Sequence, residues 1–292
     1  MKPASTGSPA SEQAMAYRRR LVENMVFELI PLKSVDAAID ALPTNSLVSV
    51  TASPVKGLDA TMELTDRIRA RGHRPVPHIA ARLVEGPEHV AKIASWMKTE
   101  GHETLFAIAG DAEEPAGPYE GTHRFLSDLF THDHGLTKVG VASYPDGHAL
   151  ISSEICHEQL HAKQALLAEA GVEGWASTQM CFDTDLIVSW LREQRAAGLT
   201  LPVHLGIPGV VDRSKLMTMG VRLGVGASLR FLKKNRAAVK KLLAPGAYDP
   251  DDLLVPLASN LEALNIDALH VFTFNQVEQT DSWRQGVLAE TT

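Results

Sequence analysis

A single acidic residue interrupts an apolar stretch near the start of the sequence, in the segment NMVFELIPL (residues 24–32). Glu28 stands in the middle of this segment and Pro31 follows it. Burying an unpaired carboxylate is unfavourable, so such a group is normally paired, protonated or placed at an open strand end. A carboxylate in such a perturbed position is a candidate functional group. Glu28 is therefore a candidate functional residue, and a solvent-facing glutamate at a strand end is the alternative.

Other polar residues recur at the ends of short apolar runs that we predict to be strands. They are Thr51, Ser53, His78, Asp111 with the preceding Gly110, Tyr144, His148, Gln179, Thr273 and Asn275. Each of them alone could be a helix cap or a loop residue. Together they mark the ends of most of the predicted strands, which is where an active site lies in a barrel of parallel strands. This shared position favours an enzyme.

Two short motifs suggest other chemistry but lack the context for it. HEQLH (residues 157–161) matches the zinc-protease pattern, yet it opens a helix in a series of alternating strands and helices. The extended form of that motif fails at Gln164 and Leu167. GVGAS (residues 224–228) has Leu229 where a dinucleotide-binding loop needs a glycine, and no strand directly precedes it. We therefore predict no metal site and no Rossmann cofactor loop.

The elements that must position the polar residues follow an alternating pattern. Near-continuous apolar runs predict strands that are covered on both faces, at 24–30, 46–52, 74–80, 104–110, 138–144, 174–180, 201–207 and 268–274. Helical patterns such as 86–101 and 183–198 lie between them, each ending in a glycine suited to a C′ position, with Asp183 or Thr184 as a cap. Residues 212–243 predict two consecutive helices. Eight such units predict an α/β protein with a (β/α)8 TIM barrel, and a doubly wound open sheet is the alternative.

The bulk properties limit the partners and the location. The 292 residues can bury a large core, and a net charge of −7 with a pI of about 5.9 argues against a nucleic-acid partner. Two cysteines imply no disulfide framework, and the sequence shows neither a membrane span nor a secretion signal, so we expect a cytoplasmic protein with no membrane partner. We expect residues 1–20 to be a flexible leader and residues 21–292 to form a single barrel domain.

Eight motifs in chain order resemble those of the methylenetetrahydrofolate reductase family, in its bacterial form with the catalytic domain only. The motifs are FELIP, VSVTAS, PHIAAR, AIAGD, SYPDGH, STQMCFD, HLGIPGV and HVFTFN. Each is weak alone, but eight in order over about residues 24–280 are fairly specific. The resemblance implies a barrel that binds FAD at its mouth. NADH or NADPH would reduce the flavin, which would then convert 5,10-methylenetetrahydrofolate to 5-methyltetrahydrofolate.

The resemblance also implies roles for individual residues. Glu28 would protonate N10 of the folate so that the imidazolidine ring opens to a 5-iminium cation. Asp111 would influence the flavin and folate binding, and Gln179 would hydrogen-bond the pterin. Lys163 would be an exposed cation near the FAD phosphates. The positions that match flavin contacts are Thr51, His78, Gly110, Asp111, Tyr144 and His148.

Three departures from the family pattern bear on FAD affinity and on the choice of nicotinamide. Ala109 replaces an arginine, the helix HEQLHAKQALLAEAG lacks a lysine pair, and Gln276 replaces an arginine. A flavin-free version therefore stays open. So do a 5-methyltetrahydrofolate oxidase that works in the reverse direction and a non-catalytic folate- or flavin-binding subunit that needs a partner. The sequence also leaves the oligomeric state open, including a homo-oligomer.

Overall fold

Eight parallel strands form the centre of the fold in a computed structural model that describes residues 9–148, 151–222 and 246–290. The strands pair in chain order and β8 pairs back with β1, so the barrel is closed. They are β1 (Val26–Leu29), β2 (Leu47–Val50), β3 (Arg74–Ala80), β4 (Thr104–Ile108), β5 (Lys138–Ser143), β6 (Glu173–Thr178), β7 (Val203–Pro208) and β8 (Ile266–Phe272). The predicted (β/α)8 barrel is confirmed, and the open sheet is excluded because β1 and β8 are paired.

Helices follow the strands and cover the outside of the barrel. They are α1 (Pro9–Glu23), α2 (Val35–Asp40), α3 (Gly57–Ala70), α4 (Pro87–Thr99), α5 (Thr122–Leu129), α6 (Ser153–Glu169), α7 (Thr184–Ala196), α8 (Arg213–Arg222), α9 (Asp251–Leu261) and α10 (Val277–Ala289). A short 3-10 turn, Ala81–Leu83, follows β3. No helix of these described ranges has the length and apolar character needed to cross a membrane.

The cap and the two glycines that the sequence predicts at the ends of α4 and α7 are confirmed. Asp183 caps α7, because its Oδ1 accepts hydrogen bonds from the backbone N–H groups of Asp185 and Leu186, both at 3.1 Å. Gly101 and Gly198 follow α4 and α7 with φ values of 65° and 99°, a left-handed conformation that glycine adopts without a steric penalty. These caps fix where the chain leaves each helix for the next strand.

The segment before β1 is helical and packed, in contrast to the flexible leader expected up to residue 20. Helix α1 packs against α9 and α10, and its Arg18 is 2% exposed. The Arg18 guanidinium pairs with Asp251 at 2.5 Å and with Glu290 at 3.3 Å. A buried guanidinium needs such acidic partners, which the sequence near Arg18 does not reveal. Residues 1–8 lie outside the described residues, as does most of the predicted helical stretch 212–243 beyond α8, with the GVGAS motif.

Aromatic and imidazole rings fill the interior of the barrel. The Phe106 ring from β4 lies 4.7 Å from the His78 ring of β3 and 5.8 Å from the His270 ring of β8, measured between centroids. Trp175 stacks on His204 at 5.0 Å. Because β4 and β8 are not neighbours in the sheet, the contact between Phe106 and His270 crosses the lumen. The lumen is therefore packed with side chains, and the open face for a ligand lies at the carboxyl ends of the strands.

Candidate active site

The acid that interrupts the first strand is buried and paired. Glu28 is 6% exposed, and its Oε2 lies 2.9 Å from Nε2 of His270 on the neighbouring strand β8. The backbone carbonyl of Glu28 accepts a hydrogen bond from Thr273 Oγ1 at 2.5 Å. The carboxyl group therefore has the partner that its burial requires, and the partner is itself a group that can hold a proton.

A second histidine lies beside this pair. His78 Nε2 is 2.5 Å from Ser49 Oγ, and its ring centroid is 5.9 Å from that of His270. Burial, with a smaller contribution from His270, holds the pKa of His78 well below its ordinary value. His78 is therefore neutral at physiological pH, and acts as a hydrogen-bonding imidazole instead of a cation.

Glu28, His78 and His270 together form a compact set of donor atoms. One donor atom from each lies within 4.8 Å of the other two, and all three residues are buried. Two imidazoles and a carboxylate could hold a divalent metal ion, and they could equally hold a proton. The HEQLH motif does not belong to this set within the described part of the chain.

A separate group of predicted residues meets on the rim of the mouth. The Tyr144 and His148 rings contact each other at 4.9 Å between centroids. Burial raises the pKa of Tyr144 to about 12, and Cys156 and Asp111 act in the same direction. Burial lowers the pKa of His148, against the opposing charge of Asp111. Asp111 is exposed and close enough to influence both rings, so these three residues share one polar surface at the ends of β4 and β5.

Thr51 and Gly110 lie just after β2 and β4, at the carboxyl ends of these strands. The Oγ1 atom of Thr51 is buried and has no hydrogen-bond partner within the residues that the structure describes. Such an unpaired hydroxyl needs an explanation, and a ligand atom is one. Gly110 has a φ of 91°, and a Cβ there would lie 2.8 Å from the Cβ of Ala80. Only glycine lets the end of β4 pass this close to β3.

Gln179 and Lys163 make contacts apart from these groups. The Gln179 side-chain oxygen accepts a hydrogen bond from the Met180 backbone N–H at 2.9 Å. Lys163 is 6% exposed, its Nζ lies 3.5 Å from the carbonyl oxygen of Ala142, and burial lowers its pKa to about 8. The expectation of an exposed cation at Lys163 is wrong, because this residue lies on the inner face of α6 with the buried Leu160.

A cavity of about 450 Å³ opens between the β5–α6 connection and α7. Tyr144 and Trp190 supply aromatic walls, and Glu154, Glu158 and Glu193 supply carboxylates. Its described lining residues include no lysine or arginine. An acidic cavity of this kind repels a phosphate group.

The two histidines of HEQLH have a structural partner in the neighbouring helix. His157 Nδ1 and His161 Nε2 each lie 3.1 Å from the side-chain oxygen of Gln194, which is buried on α7. The two imidazole rings are 4.4 Å apart between centroids. The motif therefore joins α6 to α7.

Sequence reasoning missed His270 and Ser49 as parts of the site. Both lie inside apolar strands, and the motifs VSVTAS and HVFTFN that contain them assign them no role in the site. His270 resembles Glu28 in this respect, since each is a titratable residue within an apolar run. Each such residue needs a partner when it is buried, so this shared pattern could have indicated that Glu28 and His270 contact each other.

The fold and the site define a (β/α)8-barrel protein with a buried carboxyl–imidazole pair at the carboxyl ends of its strands. The family profile described as methylenetetrahydrofolate reductase matches residues 33–241, more than half of the chain. The chain belongs to the methylenetetrahydrofolate reductase family. The matched span begins after Glu28 and ends before His270, so the pairing of these two residues rests on the geometry described above.

Individual relatives agree with this family. The chain is 28% identical over 191 residues to "Methylenetetrahydrofolate reductase 1" of Schizosaccharomyces pombe, an alignment of 60% of this chain and 30% of that protein. It is 29% identical over 171 residues to "Methylenetetrahydrofolate reductase 2" of Saccharomyces cerevisiae, with 55% and 24% covered. It is 25% identical over 215 residues to "Probable methylenetetrahydrofolate reductase (NADH)" of Oryza sativa subsp. japonica, with 64% and 34% covered. The alignments thus span about a quarter to a third of these relatives.

Proposed function

We propose that this chain reduces 5,10-methylenetetrahydrofolate to 5-methyltetrahydrofolate, with NADH or NADPH as the source of the hydride. The observation that carries the proposal is the buried pair of Glu28 and His270 at the mouth of a barrel of this family. The name of the rice relative specifies NADH, which supports a nicotinamide donor. A folate is a small molecule, and the strand ends of a barrel are where such a ligand binds.

Glu28 supplies the proton that the reaction needs before hydride transfer. Protonation of N10 breaks the bond between N10 and the bridging methylene carbon, which leaves a 5-iminium cation. Hydride then adds to that carbon and gives the N5-methyl product. The carboxylate that Glu28 becomes is stabilised by a hydrogen bond from His270 Nε2, which lies 2.9 Å away. A general acid in this position typically contributes about 10²–10⁴-fold to the rate.

The rim residues are proposed to bind and orient the folate. The Tyr144 phenol stays protonated because its pKa is raised to about 12, so it can donate a hydrogen bond throughout the reaction. Asp111 can accept hydrogen bonds from the amino group of the pterin, and the NH₂ group of Gln179 can donate to its carbonyl oxygen. These contacts would hold the methylene carbon against the hydride donor, and such positioning is a large part of catalysis.

The residues that could hold the FAD implied by the family resemblance suit its flavin ring but not its diphosphate. The unpaired hydroxyl of Thr51 and the neutral imidazole of His78 suit the hydrogen-bonding edge of a flavin ring. The diphosphate would need accessible cations. Lys163 keeps its charge at pH 7, but it is 6% exposed, and the nearby cavity is lined by three glutamates. The described residues therefore do not fit FAD as a whole, and no step above depends on it. FAD stays a prediction from the resemblance.

The substitution Glu28→Gln tests the proposed function. It keeps the shape of the side chain and removes the transferable proton, so folate-dependent NADH oxidation should fall by about 10²–10⁴-fold. Binding of NADH needs no such acid, so the Kd for NADH should change little. Glu173→Gln is the matched control, because Glu173 is an exposed glutamate at the opposite end of a strand. Folate-dependent oxidation that is not slowed in Glu28→Gln, or that is slowed only as far as NADH binding is weakened, would exclude Glu28 as the acid.

The absorption spectrum of the purified protein, before and after anaerobic addition of NADH, tests the cofactor separately. Bound flavin gives a visible spectrum that NADH bleaches. A colourless protein that reduces 5,10-methylenetetrahydrofolate with NADH and ignores added FAD would contradict the FAD prediction. The proposed reduction of the folate would stand in that case, because it rests on Glu28 and His270.

A further inference from the structure

The turn that follows β8 holds the end of β1 through side-chain hydrogen bonds. Regular pairing of the two strands ends where Glu28 faces Phe272. Beyond that point, Asn275 Oδ1 accepts a hydrogen bond from the Ile30 backbone N–H at 2.9 Å, and Asn275 Nδ2 donates to the Ile30 carbonyl oxygen at 2.9 Å. The side-chain amide of Asn275 therefore bonds Ile30 as the backbone of a further β8 residue would, and it continues the β1–β8 pairing beyond Phe272.

The backbone of this turn is in an unfavourable conformation. Phe274 and Asn275 have φ values of 48° and 62°, and a bulky residue such as phenylalanine rarely adopts a left-handed conformation. Such strain persists only where the surroundings fix it, and it concentrates at functional sites. Lys215 Nζ donates to the Phe274 carbonyl oxygen at 2.9 Å, and the Asn275 N–H donates to Thr273 Oγ1 at 3.1 Å. The contacts of the turn thus hold it in a shape that the chain alone would not prefer.

The segment from His270 to Asn275 consequently contacts the end of β1 at three points, two on Glu28 and one on Ile30. His270 contacts the carboxyl group, Thr273 contacts the backbone carbonyl of the same residue, and Asn275 fixes the peptide groups of Ile30. We infer that Asn275 is a positioning residue, which keeps the end of β1 in the register that places the Glu28 carboxyl group against His270 Nε2. The inference rests on the proposed function only in that the reaction uses Glu28.

Other asparagines in the same conformation provide the comparison. Asn45 and Asn265 have φ values of 59° and 54°, and both are exposed. Asparagine tolerates this conformation wherever a turn needs it, so the conformation alone indicates no function. Asn265 directly precedes β8, at the opposite end of the strand from Asn275. Asn265→Gly is therefore the matched control for Asn275→Gly.

The experiment compares Asn275→Gly, Asn275→Asp and Asn265→Gly by two measurements. The first is the ¹⁵N chemical shift of the His270 imidazole, which reports its contact with Glu28 whether or not the enzyme turns over; loss of the signal in His270→Gln assigns it. The second is kcat and KM for folate-dependent NADH oxidation. Misplacing a catalytic group by about 1 Å can cost about 10²-fold in rate, so kcat of Asn275→Gly should fall by about 10–10²-fold with KM nearly unchanged. Asn275→Asp keeps the acceptor for the Ile30 N–H and should recover part of that loss.

The control defines the results that would overturn the inference. Asn265→Gly should leave both the imidazole shift and kcat at wild-type values. An unchanged shift and kcat in Asn275→Gly, or an equal loss in Asn265→Gly, would show that Asn275 is only a turn residue. Should Asn275→Gly fail to fold, Asn275→Ala takes its place, because it also lacks both contacts to Ile30, and a wild-type shift and kcat in that variant would overturn the inference in the same way. If the wild type shows no turnover, the proposed function fails, and the imidazole shift alone decides on Asn275.

Discussion

The buried ammonium group of Lys163 should destabilise the folded chain at neutral pH. The residue is 6% exposed, and burial lowers its pKa from 10.5 to about 8. A depression of this size corresponds to about 3 kcal/mol of preference for the neutral form, at about 1.4 kcal/mol for each pKa unit. Methionine has similar length and no charge to bury. Lys163→Met should therefore raise the free energy of unfolding at pH 7 by about 1–3 kcal/mol, since part of the gain is lost to imperfect packing.

The pH dependence of stability distinguishes this cause from simple repacking. Between pH 8 and 10.5 an unfolded lysine is still protonated, whereas Lys163 in the folded chain has lost its proton. The unfolded state therefore binds more protons, and stability from this group rises with pH across that interval. The free-energy cost of burying the Lys163 charge is absent above pH 10.5. It grows as the pH falls towards 8, and it is fully present below pH 8. Lys163→Met should remove this contribution to the slope of the free energy of unfolding against pH.

Urea unfolding at pH 7 and at several values up to pH 10.5 measures both effects. Lys92→Met is the control, because Lys92 is exposed and pairs with Asp59 at 2.8 Å, and its replacement should change stability by no more than about 0.5 kcal/mol. A less stable Lys163→Met at pH 7, or an unchanged slope between pH 8 and 10.5, would refute the argument from burial. Weaker retention of added FAD in the same variant, with a smaller dependence on salt than in the wild type, would restore the phosphate-binding role that the resemblance implies.

Three further predictions concern parts of the structure away from Glu28. The Asp66 carboxylate lies 3.1 Å from Trp96 Nε1 and 2.7 Å from His102 Nε2. Asp66→Asn weakens this acceptor, so thermal unfolding should show that the free energy of unfolding falls by about 1–3 kcal/mol while activity is kept. Asp183→Ala removes the cap of α7 and should cost about 1 kcal/mol in the same measurement, whereas Asp183→Asn, which keeps an acceptor oxygen, should cost less. The sequence predicts no bound metal, and stoichiometric zinc in a total-metal analysis that disappears in His157→Ala would contradict this.

Local patterns in the sequence were sufficient to predict the barrel, because apolar runs and helix caps depend on residues close together in the chain. Asp183 and Gly198 are where these rules place them. The predicted strand 46–52 is longer than β2, which ends at Val50, although the Thr51 N–H still donates to the Leu29 carbonyl oxygen at 3.0 Å. Whether a helix side chain points into the protein or towards solvent was harder to predict. Helical periodicity is weak in α6, so it did not show that Lys163 points inward.

The contacts of the site were beyond prediction for a different reason. Glu28 and His270 are 242 residues apart in the chain, and no local rule relates them. Their contact follows from closure of the barrel, which sets β8 beside β1. The burial of Arg18 is similar, because its partners Asp251 and Glu290 approach α1 only in the folded structure. The sequence thus predicted that the candidate residues lie at the carboxyl ends of the strands, but not which side chains meet there.

The pairing of β1 with β8 also has a consequence for the order of folding. Contacts between residues about 245 apart in the chain must overcome a large loss of chain entropy, so they form slowly and late. Strands β2 to β7 each gain a neighbour from the adjoining part of the chain, but β1 gains its second neighbour only when β8 arrives. The Glu28–His270 contact therefore forms in the same step that closes the sheet. A partly folded intermediate with an open sheet would lack the Glu28–His270 contact, so the ¹⁵N shift of the His270 imidazole reports on completed folding.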